Sequence, residues 1–426
     1  MKKIIRKSKL KGSINIPPSK SLSHRAIIAA SLAKGKSKIE NIILSEDILA
    51  TIEAMKSFGV EIDINEDENN RHFLEISGKK DLKLASDEIF CNESGSTLRF
   101  LVPFFTLVDS KVTYTGENKL IERPLDSYYK IFDEKGIKYK TDNNNLPLRV
   151  SGKLKSGEYK IAGDISSQFI TGLMFVLPLL NGDSVIKITK KLESKGYVDL
   201  TLDVLKKFGI KIINNDYKEF KIPGNQEYIS RDYFVPGDYS QAAFFIVSNL
   251  LGNDICLKGL KEKSLQGDKA ILDIINKVGG NFQFSDKGLI ITKKNNLKGI
   301  NVDVKDCPDL VPVLAVLLSF CKGQSQIVNA ERLRIKESDR LKAISTELNK
   351  LGGKIKETKD GLIINPINSL KGGEVDSWND HRIAMALAIA SKKASDEIII
   401  NNPMAVEKSY PHFYKDLEKL GGIIDE

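Results

Sequence analysis

The segment from Arg332 to Arg340 is unusually dense in charge for the start of a helix. Lys336, Glu337 and Arg340 come just before or inside the first turn of an amphipathic helix that is expected to begin near Ser338, with Ser338 as its N-cap. A cation in the first turn works against the helix macrodipole, whose N-terminal end is positive. An anion bound at that end would offset the cost. The segment therefore indicates an anion-binding site or, alternatively, a solvated and salt-bridged helix start.

Six further helix starts along the chain share a related composition. Six apolar segments begin with Ser, Asn or Asp residues, which are the usual N-cap residues, and the starts also supply the cations Lys20, Arg25, Arg99 and Arg382. If the six helices are parallel within each half of the chain, their free N–H groups converge and favour a polyanion. Simple helix capping is the alternative. The starts are expected near Ser21, Ser94, Ser166, Tyr239, Cys307 and Asn379.

A second pattern repeats six times at intervals of 69 to 77 residues. Each copy is a lysine-containing helix end, a glycine and an extended segment, which is typical of a helix closed by a left-handed residue. With one apolar and one amphipathic helix per copy, the pattern predicts six β-α-β-α-β-β units in which the apolar helix is buried. The glycines are Gly59, Gly136, Gly209, Gly279, Gly352 and Gly421.

Length and composition are those of a globular protein with more than one domain. The 426 residues are 41% hydrophobic and 28% charged, with a formal net charge of +9 at pH 7. That charge favours anionic partners, either nucleic acid or small phosphorylated or carboxylated substrates. Four cysteines without CxxC spacing predict neither a zinc site nor a disulfide framework, which fits a reducing cytoplasm. Neither a secretory signal nor a membrane-spanning segment is predicted.

Six motifs follow one another along the chain in a specific order. They are Pro18-Ser19-Lys20-Ser21-Leu22-Ser23-His24-Arg25, Gly95-Ser96-Thr97-Leu98-Arg99, Glu122-Arg123-Pro124, Ser166-Ser167-Gln168-Phe169, Arg334-Ile335-Lys336-Glu337-Ser338-Asp339-Arg340 and Asp380-His381-Arg382-Ile383-Ala384-Met385. This ordered set resembles the enolpyruvyl transferases, and within them the EPSP synthase family, from about Ser13 to Gly421.

The resemblance implies an α/β fold, a two-domain inside-out α/β barrel with three β-α-β-α-β-β repeats per domain around buried parallel helices. It implies a discontinuous first domain of residues 1–17 plus 236–426 and a second domain of residues 18–235. The active site is then expected in the cleft between them.

The resemblance also implies an activity. The enolpyruvyl (carboxyvinyl) group of phosphoenolpyruvate would be transferred to the 5-hydroxyl of shikimate 3-phosphate, through a tetrahedral intermediate that loses phosphate. The step belongs to the shikimate pathway to chorismate and aromatic amino acids. It implies neither a cofactor nor a metal, neither a nucleic-acid nor a membrane partner, and a monomeric cytoplasmic enzyme. Because Gly95 has no side chain to exclude glyphosate, sensitivity to that inhibitor is expected.

The resemblance implies a role in the active site for each residue that stands at a matching position of the family's motifs. For catalysis, Asp309 is expected to deprotonate the 5-hydroxyl, Glu337 to protonate the methylene carbon and Lys20 to assist near the bridging oxygen. The expected phosphoenolpyruvate-binding residues are Lys20, Gly95, Arg123, Gln168, Arg340, Arg382 and Lys408. The expected shikimate 3-phosphate-binding residues are Lys20, Ser21, Arg25, Ser166, Ser167, Gln168, Ser194, Tyr197, Asp309 and Lys336. Two positions depart from the family pattern, since Glu93 and Arg332 stand where an asparagine is usual.

Two alternatives remain open at the level of sequence. A UDP-N-acetylglucosamine enolpyruvyl transferase would share the fold, but its reactive loop cysteine is missing between Tyr114 and Asp126. An RNA terminal-phosphate cyclase-like enzyme would use the positive charge for nucleic acid. The single tryptophan and the mixing of basic with acidic residues offer neither a stacking platform nor a basic stripe.

Overall fold

The structure is a computed structural model that describes residues 1–293 and 296–426. The chain divides into two units, unit 1 (Met1–Ser19 with Pro236–Glu426) and unit 2 (Lys20–Val235). The α-helices are α1 (Lys20–Leu32), α2 (Glu46–Ser57), α3 (Gly95–Leu101), α4 (Asp126–Lys135), α5 (Ser167–Val176), α6 (Lys195–Lys207), α7 (Tyr239–Leu250), α8 (Ile271–Val278), α9 (Val311–Leu318), α10 (Arg340–Lys350), α11 (His381–Ala390) and α12 (Phe413–Lys419).

The strands are short and spread evenly along the chain. They are β1 (Lys2–Arg6), β2 (Lys11–Asn15), β3 (Ala33–Ile42), β4 (Glu61–Glu66), β5 (His72–Gly78), β6 (Glu88–Phe90), β7 (Val112–Thr115), β8 (Lys138–Asp142), β9 (Asn145–Ser151), β10 (Gly157–Ile161), β11 (Ser184–Ile188), β12 (Ile213–Asn215), β13 (Glu219–Ile222), β14 (Tyr228–Ile229), β15 (Tyr233–Phe234), β16 (Asp254–Lys258), β17 (Gly280–Ser285), β18 (Gly288–Lys293), β19 (Asn301–Asp303), β20 (Ser325–Val328), β21 (Ile355–Glu357), β22 (Leu362–Ile364), β23 (Gly373–Asp376), β24 (Ile398–Asn401) and β25 (Ile423–Asp425).

All six sheets of the described residues follow one plan, a parallel pair extended by two antiparallel strands. In unit 2 the sheets are β6-β7-β9-β8, β10-β11-β13-β12 and a sheet in which β14 and β15 both pair with β3, followed by β5 and β4. In unit 1 they are β19-β20-β22-β21, β2-β16-β18-β17 and β23-β24-β1-β25. The predicted six β-α-β-α-β-β repeats are therefore confirmed.

In three of the repeats, one strand comes from a distant part of the chain. β2 supplies the parallel partner of β16, and β14 and β15 supply the parallel partners of β3. The first strand of the chain, β1, lies between β24 and β25 near its end. These long-range pairings complete sheets that local sequence alone would leave one strand short.

The first helix of every repeat is buried, as its composition predicts. In unit 1, every residue of α7, α9 and α11 is buried, whereas α8, α10 and α12 each keep an exposed face. In unit 2, α1, α3 and α5 are buried over most of their length. A helix that is apolar on all sides needs neighbours on all sides, which the sheets and surface helices provide. In the described part of the chain, no helix is both long and apolar enough to cross a membrane.

The six glycines at the helix ends adopt the left-handed conformation that the repeat predicts. Their φ angles lie between 66° and 102°. A side chain at such a φ meets the following carbonyl, so glycine closes the helix with least strain.

Candidate active site

Arg340, the first residue of α10, is the centre of an ion-pair cluster in unit 1. Its side chain is buried, with 1% of the residue exposed. Nε donates to Asp380 Oδ2 at 2.7 Å, Nη1 to Asp309 Oδ1 at 2.8 Å and Nη2 to Glu337 Oε2 at 2.7 Å. Burial alone would lower the pKa of Arg340, but the three carboxylates raise it above its ordinary value. Arg340 is therefore a permanent cation that holds three acids from three segments.

The start of α10 differs from the expectation in one respect. Asp339, not Ser338, is the N-cap, because Asp339 Oδ1 accepts from the backbone N–H of Lys342 at 3.1 Å. The prediction of Ser338 as N-cap is wrong, since its hydroxyl donates instead to Asp380 Oδ2 at 3.0 Å. Arg340, the cation in the first turn, does have a negative counter-charge, as its position at the helix start predicts. Carboxylate groups of the protein itself supply that charge.

The carboxylate group of Asp309 lies close to three cations. It lies in a 3₁₀ turn, Pro308–Leu310, that leads into α9. Besides Arg340, Arg382 Nη2 lies 3.1 Å from Asp309 Oδ2, and Lys336 Nζ lies 4.0 Å from Asp309 Oδ1. Burial would raise the pKa of Asp309, yet Arg382, Lys336 and Arg340 hold it well below its ordinary value. Asp309 is therefore ionised at neutral pH, which is the form that a base requires, while the cations weaken its affinity for a proton.

The start of α11 ties the same cluster together. The Asp380 side chain caps the helix by accepting from the backbone N–H of Arg382 at 2.9 Å, while it also accepts from Arg340 and Ser338. Lys408 is buried, and its Nζ donates to the carbonyl oxygen of Asn379 at 2.7 Å, one residue before Asp380. The N-terminal ends of α9, α10 and α11 thus carry one connected set of charges.

In unit 2, the expected residues at the start of α1 are held by partners from other helices. Lys20 Nζ donates to Asp47 Oδ2 at 2.7 Å. Arg25 donates to the Ser21 carbonyl at 2.6 Å and to the Tyr197 carbonyl at 3.1 Å. Burial lowers the pKa of Arg25 to about 10, which still leaves it charged at neutral pH. Arg25 therefore joins α1 to the start of α6.

The starts of α3 and α5 meet through Gln168. Its Nε2 donates to Ser96 Oγ at 3.0 Å, and its Oε1 accepts from Arg99 Nη1 at 3.0 Å. Ser166 caps α5 by accepting from the backbone N–H of Gln168 at 3.3 Å, and Ser167 is the first helical residue. Two of the hydroxyl groups expected to bind shikimate 3-phosphate, those of Ser166 and Ser167, thus lie together at the N-terminus of α5.

Ser194 is buried at the N-cap position of α6, where its φ is 56°. Its carbonyl oxygen accepts from the backbone N–H of Tyr197 at 3.0 Å. A non-glycine residue in this left-handed region is unusual and calls for support from its surroundings. The hydrogen bonds of Arg25 to the Tyr197 carbonyl and to the α6 hydroxyl of Thr201 supply such support.

Gly95 lies against the guanidinium group of Arg123. A Cβ added at Gly95 would lie 2.6 Å from Arg123 Cζ, closer than any ordinary contact. Arg123 is buried. The absence of a side chain at residue 95 therefore sets where this cation lies at the N-terminus of α3.

The two departures from the family pattern have defined contacts. Glu93 Oε1 accepts from Asn118 Nδ2 at 3.0 Å, so the carboxylate is engaged by a side chain of its own unit. Arg332 Nη2 donates to the backbone carbonyl of Lys305. Both side chains therefore have hydrogen-bond partners within their own unit.

The expected site residues fall into two groups, one in each unit. Unit 1 brings Asp309, Lys336, Glu337, Arg340, Arg382 and Lys408 to the starts of α9, α10 and α11, and unit 2 has the others. Asp47 and Asp380 were missed as site residues, although each contacts an expected one. Asp380 could have been found, because it lies within a quoted motif. No motif or spacing in the sequence indicated Asp47, because it lies 27 residues from Lys20, its partner in the structure.

Comparison with known proteins assigns the family. A family model described as EPSP synthase (3-phosphoshikimate 1-carboxyvinyltransferase) matches residues 4–417. The chain is 60% identical over 423 residues to 3-phosphoshikimate 1-carboxyvinyltransferase of Clostridium novyi (strain NT), covering 98% of the chain and 97% of that protein. With the protein of that name in Clostridium perfringens (strain 13 / Type A) it shares 53% identity over 428 residues, covering 100% of both. A solved EPSP synthase structure from Acinetobacter baumannii is similar with a TM-score of 0.81 and 25% identity, covering 100% of both chains. The chain belongs to the EPSP synthase family.

Proposed function

We propose that the protein transfers the enolpyruvyl group of phosphoenolpyruvate to the 5-hydroxyl of shikimate 3-phosphate and releases inorganic phosphate. The step belongs to aromatic amino acid biosynthesis. The observation that carries the proposal is the Asp309 carboxylate, 14% exposed, held between Arg340 and Arg382. It combines a base for a hydroxyl group with fixed cations for anionic substrates, in a chain that matches the family along nearly its whole length.

The substrates bring two phosphates and two carboxylates to one reaction. Arginine binds such planar or tetrahedral anions through paired N–H groups, and buried arginines lose less water in doing so. We propose that the cations of both units serve this reaction. Lys20, Gly95, Arg123, Gln168, Arg340, Arg382 and Lys408 would bind phosphoenolpyruvate. Lys20, Ser21, Arg25, Ser166, Ser167, Gln168, Ser194, Tyr197, Asp309 and Lys336 would bind shikimate 3-phosphate.

Two proton transfers accompany the addition. Asp309 takes the proton of the 5-hydroxyl as its oxygen bonds to C2 of phosphoenolpyruvate, and Glu337 gives a proton to the methylene carbon. The C2–O bond to phosphate then breaks while Glu337 takes a proton back from the new methyl carbon, which restores the double bond, with Lys20 near the bridging oxygen. A substrate anion that draws Arg340 or Arg382 away from Asp309 weakens their hold on its charge. Binding itself would then raise the proton affinity of Asp309.

An assay of phosphate release tests this function against its rivals. Purified protein with phosphoenolpyruvate and shikimate 3-phosphate is expected to release phosphate, whereas UDP-N-acetylglucosamine as acceptor is expected to give none. Family membership makes both the nucleotide-sugar enzyme and the nucleic-acid enzyme the less favoured alternatives. Release with the nucleotide sugar alone would contradict the proposal. A coupled phosphate assay measures both reactions in the same buffer.

Gly95→Ala is expected to weaken phosphoenolpyruvate binding. The added methyl group would displace the Arg123 guanidinium, which lies within 2.6 Å of it at Cζ. Loss of one well-placed charge-assisted contact corresponds to a rise of roughly tenfold to a hundredfold in KM for phosphoenolpyruvate. Steady-state kinetics with shikimate 3-phosphate held saturating measure it.

Gly136→Ala is the matched control for that variant. A Cβ at Gly136 would meet nothing within 4 Å, although its φ of 66° is strained for alanine. It should therefore cost about 1–2 kcal/mol of stability and leave KM unchanged. Equal KM values for wild type and Gly95→Ala would show that Arg123 does not bind the donor substrate.

Three finer properties remain predictions. We propose a monomer, located in the cytoplasm and inhibited by glyphosate. Sedimentation velocity, fractionation of cells and inhibition kinetics against phosphoenolpyruvate test them one by one.

A further inference from the structure

Asp268 is a buried acid that none of the expected roles uses. It lies in a 3₁₀ turn, Gly267–Ala270, just before α8, and 3% of the residue is exposed. Its Oδ2 accepts a hydrogen bond from the hydroxyl of Ser240 in the first turn of α7. A buried carboxyl group with a hydroxyl donor is costly compared with an amide of the same shape, so its presence calls for a reason.

The turn that carries Asp268 is fixed to the start of α7 by a neighbouring side chain. Gln266 Oε1 accepts from the backbone N–H of Tyr239 at 3.0 Å, and Gln266 Nε2 donates to the carbonyl of Gly237 at 2.8 Å. The same turn also packs against Pro308–Leu310, the turn that holds Asp309. Asp268 is thus held in place beside the proposed base by residues of the same unit.

The charged and titratable groups around Asp268 come from three packed elements. They are Asp309 and the Cys307 thiol from the segment before α9, Arg382 from α11 and Asp238 from the cap of α7. Burial and the charge of Asp309 raise the pKa of Asp268 to about 7, against the opposing effects of Arg382 and the Ser240 hydrogen bond. Around neutral pH the group therefore changes between its neutral and charged forms.

We propose that Asp268 is a positioning residue whose own charge sets the proton affinity of Asp309. The inference rests on the proposed function, in which Asp309 accepts the proton of the 5-hydroxyl. The two carboxylates repel each other, so a charged Asp268 makes Asp309 hold a proton more strongly. A neutral Asp268 leaves Asp309 under the undiminished attraction of Arg382, Arg340 and Lys336, which makes it a weaker base.

The sign of the pH dependence follows. Below neutral pH Asp268 is protonated, Asp309 is the weaker base and kcat is reduced. Above neutral pH Asp268 is charged and kcat rises to a plateau. Asp268 exchanges no proton with the substrate, so its effect is on kcat and not on the binding of either substrate.

The test is the pH profile of kcat for wild type, Asp268→Asn and Ser240→Ala between about pH 5.5 and 9. Asp268→Asn keeps the shape and the Ser240 contact but cannot be charged. It should lose the ionisation near pH 7 and show kcat roughly tenfold below wild type at high pH, with KM values unchanged. Ser240→Ala removes the hydrogen bond that favours the charged form, so the ionisation should move upward by roughly half a pH unit or more.

Asp273→Asn, on the exposed face of α8, removes the same charge five positions away and should leave the profile unchanged. If Asp268→Asn does not fold, as judged by circular dichroism, Ser240→Ala decides alone. An ionisation near pH 7 that persists in Asp268→Asn, or that stays in place in Ser240→Ala, would overturn the inference. The inference would also be overturned if the profile of the wild type showed no ionisation near pH 7. Absence of phosphate release by wild type at any pH would instead overturn the proposed function.

Discussion

Replacing Arg340 by methionine is expected to cost about 3–5 kcal/mol of stability and to abolish activity. Methionine fills much of the space but leaves Asp309, Glu337 and Asp380 without the guanidinium that they share. Asp380 is completely buried, so its charge has no access to water. Removing one partner of a buried ion pair is costly because the remaining charge stays desolvated.

The single tryptophan makes the measurement specific to unit 1. Trp378 precedes α11, and its Nε1 donates to Glu347 Oε1 at 2.8 Å within that unit. Urea unfolding followed by its fluorescence therefore reports the free energy of unfolding of the unit that contains Arg340. The variant and the wild type are to be compared at the same protein concentration.

Arg334→Met is the matched control for this prediction. Arg334 also pairs with two acids, Asp339 and Glu357, but its side chain is 25% exposed. Pairs near solvent contribute little, so a loss of at most about 1 kcal/mol is expected. Equal losses in the two variants would show that burial of the Arg340 cluster carries no special energetic weight.

The pH dependence of the Arg340→Met defect has a predictable sign. In wild type the folded-state pKa of Asp309 is depressed, so its contribution to stability is present above its unfolded pKa and is lost as the pH falls. In the variant one of the cations that depress this pKa is gone. The stability gap between variant and wild type should therefore be largest at neutral pH and should narrow toward pH 4 or below.

Asp309→Asn should lower kcat by roughly 10² to 10⁴-fold, the usual effect of removing a general base. Arg340 donates to Oδ1 of Asp309 and Arg382 to Oδ2, so the single amide oxygen of asparagine keeps one of these hydrogen bonds while the basic group is lost. Because Arg340 and Arg382 each lose a carboxylate partner, stability should also fall, but by less than in Arg340→Met, since Arg340 keeps Glu337 and Asp380. Turnover with both substrates saturating and urea unfolding measure the two quantities.

Two companion variants make the Asp309 result interpretable. Asp303→Asn removes a carboxylate from the same segment, where it pairs with Lys305 near the surface, and should keep full turnover. Glu337→Gln tests the proposed acid and should also lose activity. Near-normal turnover in both Asp309→Asn and Glu337→Gln would show that neither carboxylate has the role proposed for it.

The architecture could be predicted because its signals are local. Two signals depend on neighbouring residues alone: the left-handed glycine that follows each of the six amphipathic helices, and the side-chain N-cap seen before α3, α5, α7 and α11. Gly136, with a φ of 66°, and Ser166, which caps α5, are where sequence placed them. One local prediction was wrong, at the start of α10. Ser338 and Asp339 are both good N-cap residues, but the hydroxyl of Ser338 donates to the distant Asp380, so Asp339 caps the helix.

The detailed contacts of the site could not be predicted, because they join residues far apart in the chain. Arg382 reaches Asp309 across 73 residues, and Ser240 reaches Asp268 across 28. No spacing rule links such pairs, since their proximity follows from helix packing in three dimensions. Many of the charged groups of the site could therefore be predicted from the sequence. Which of them form hydrogen bonds or ion pairs with one another could not.

The position of β1 between β24 and β25 has a consequence for synthesis on the ribosome. Unit 2 is one continuous segment, so it can fold once Val235 has left the exit tunnel. Unit 1 cannot, because β2 must wait for β16 and β1 must wait for β24. At about 5–20 residues per second, β1 is without its partners for roughly 20 to 80 s. β2 finds its partner when β16 emerges, whereas β1 stays unpaired until β24 follows, so β1 is the strand exposed to wrong pairing for the longer time.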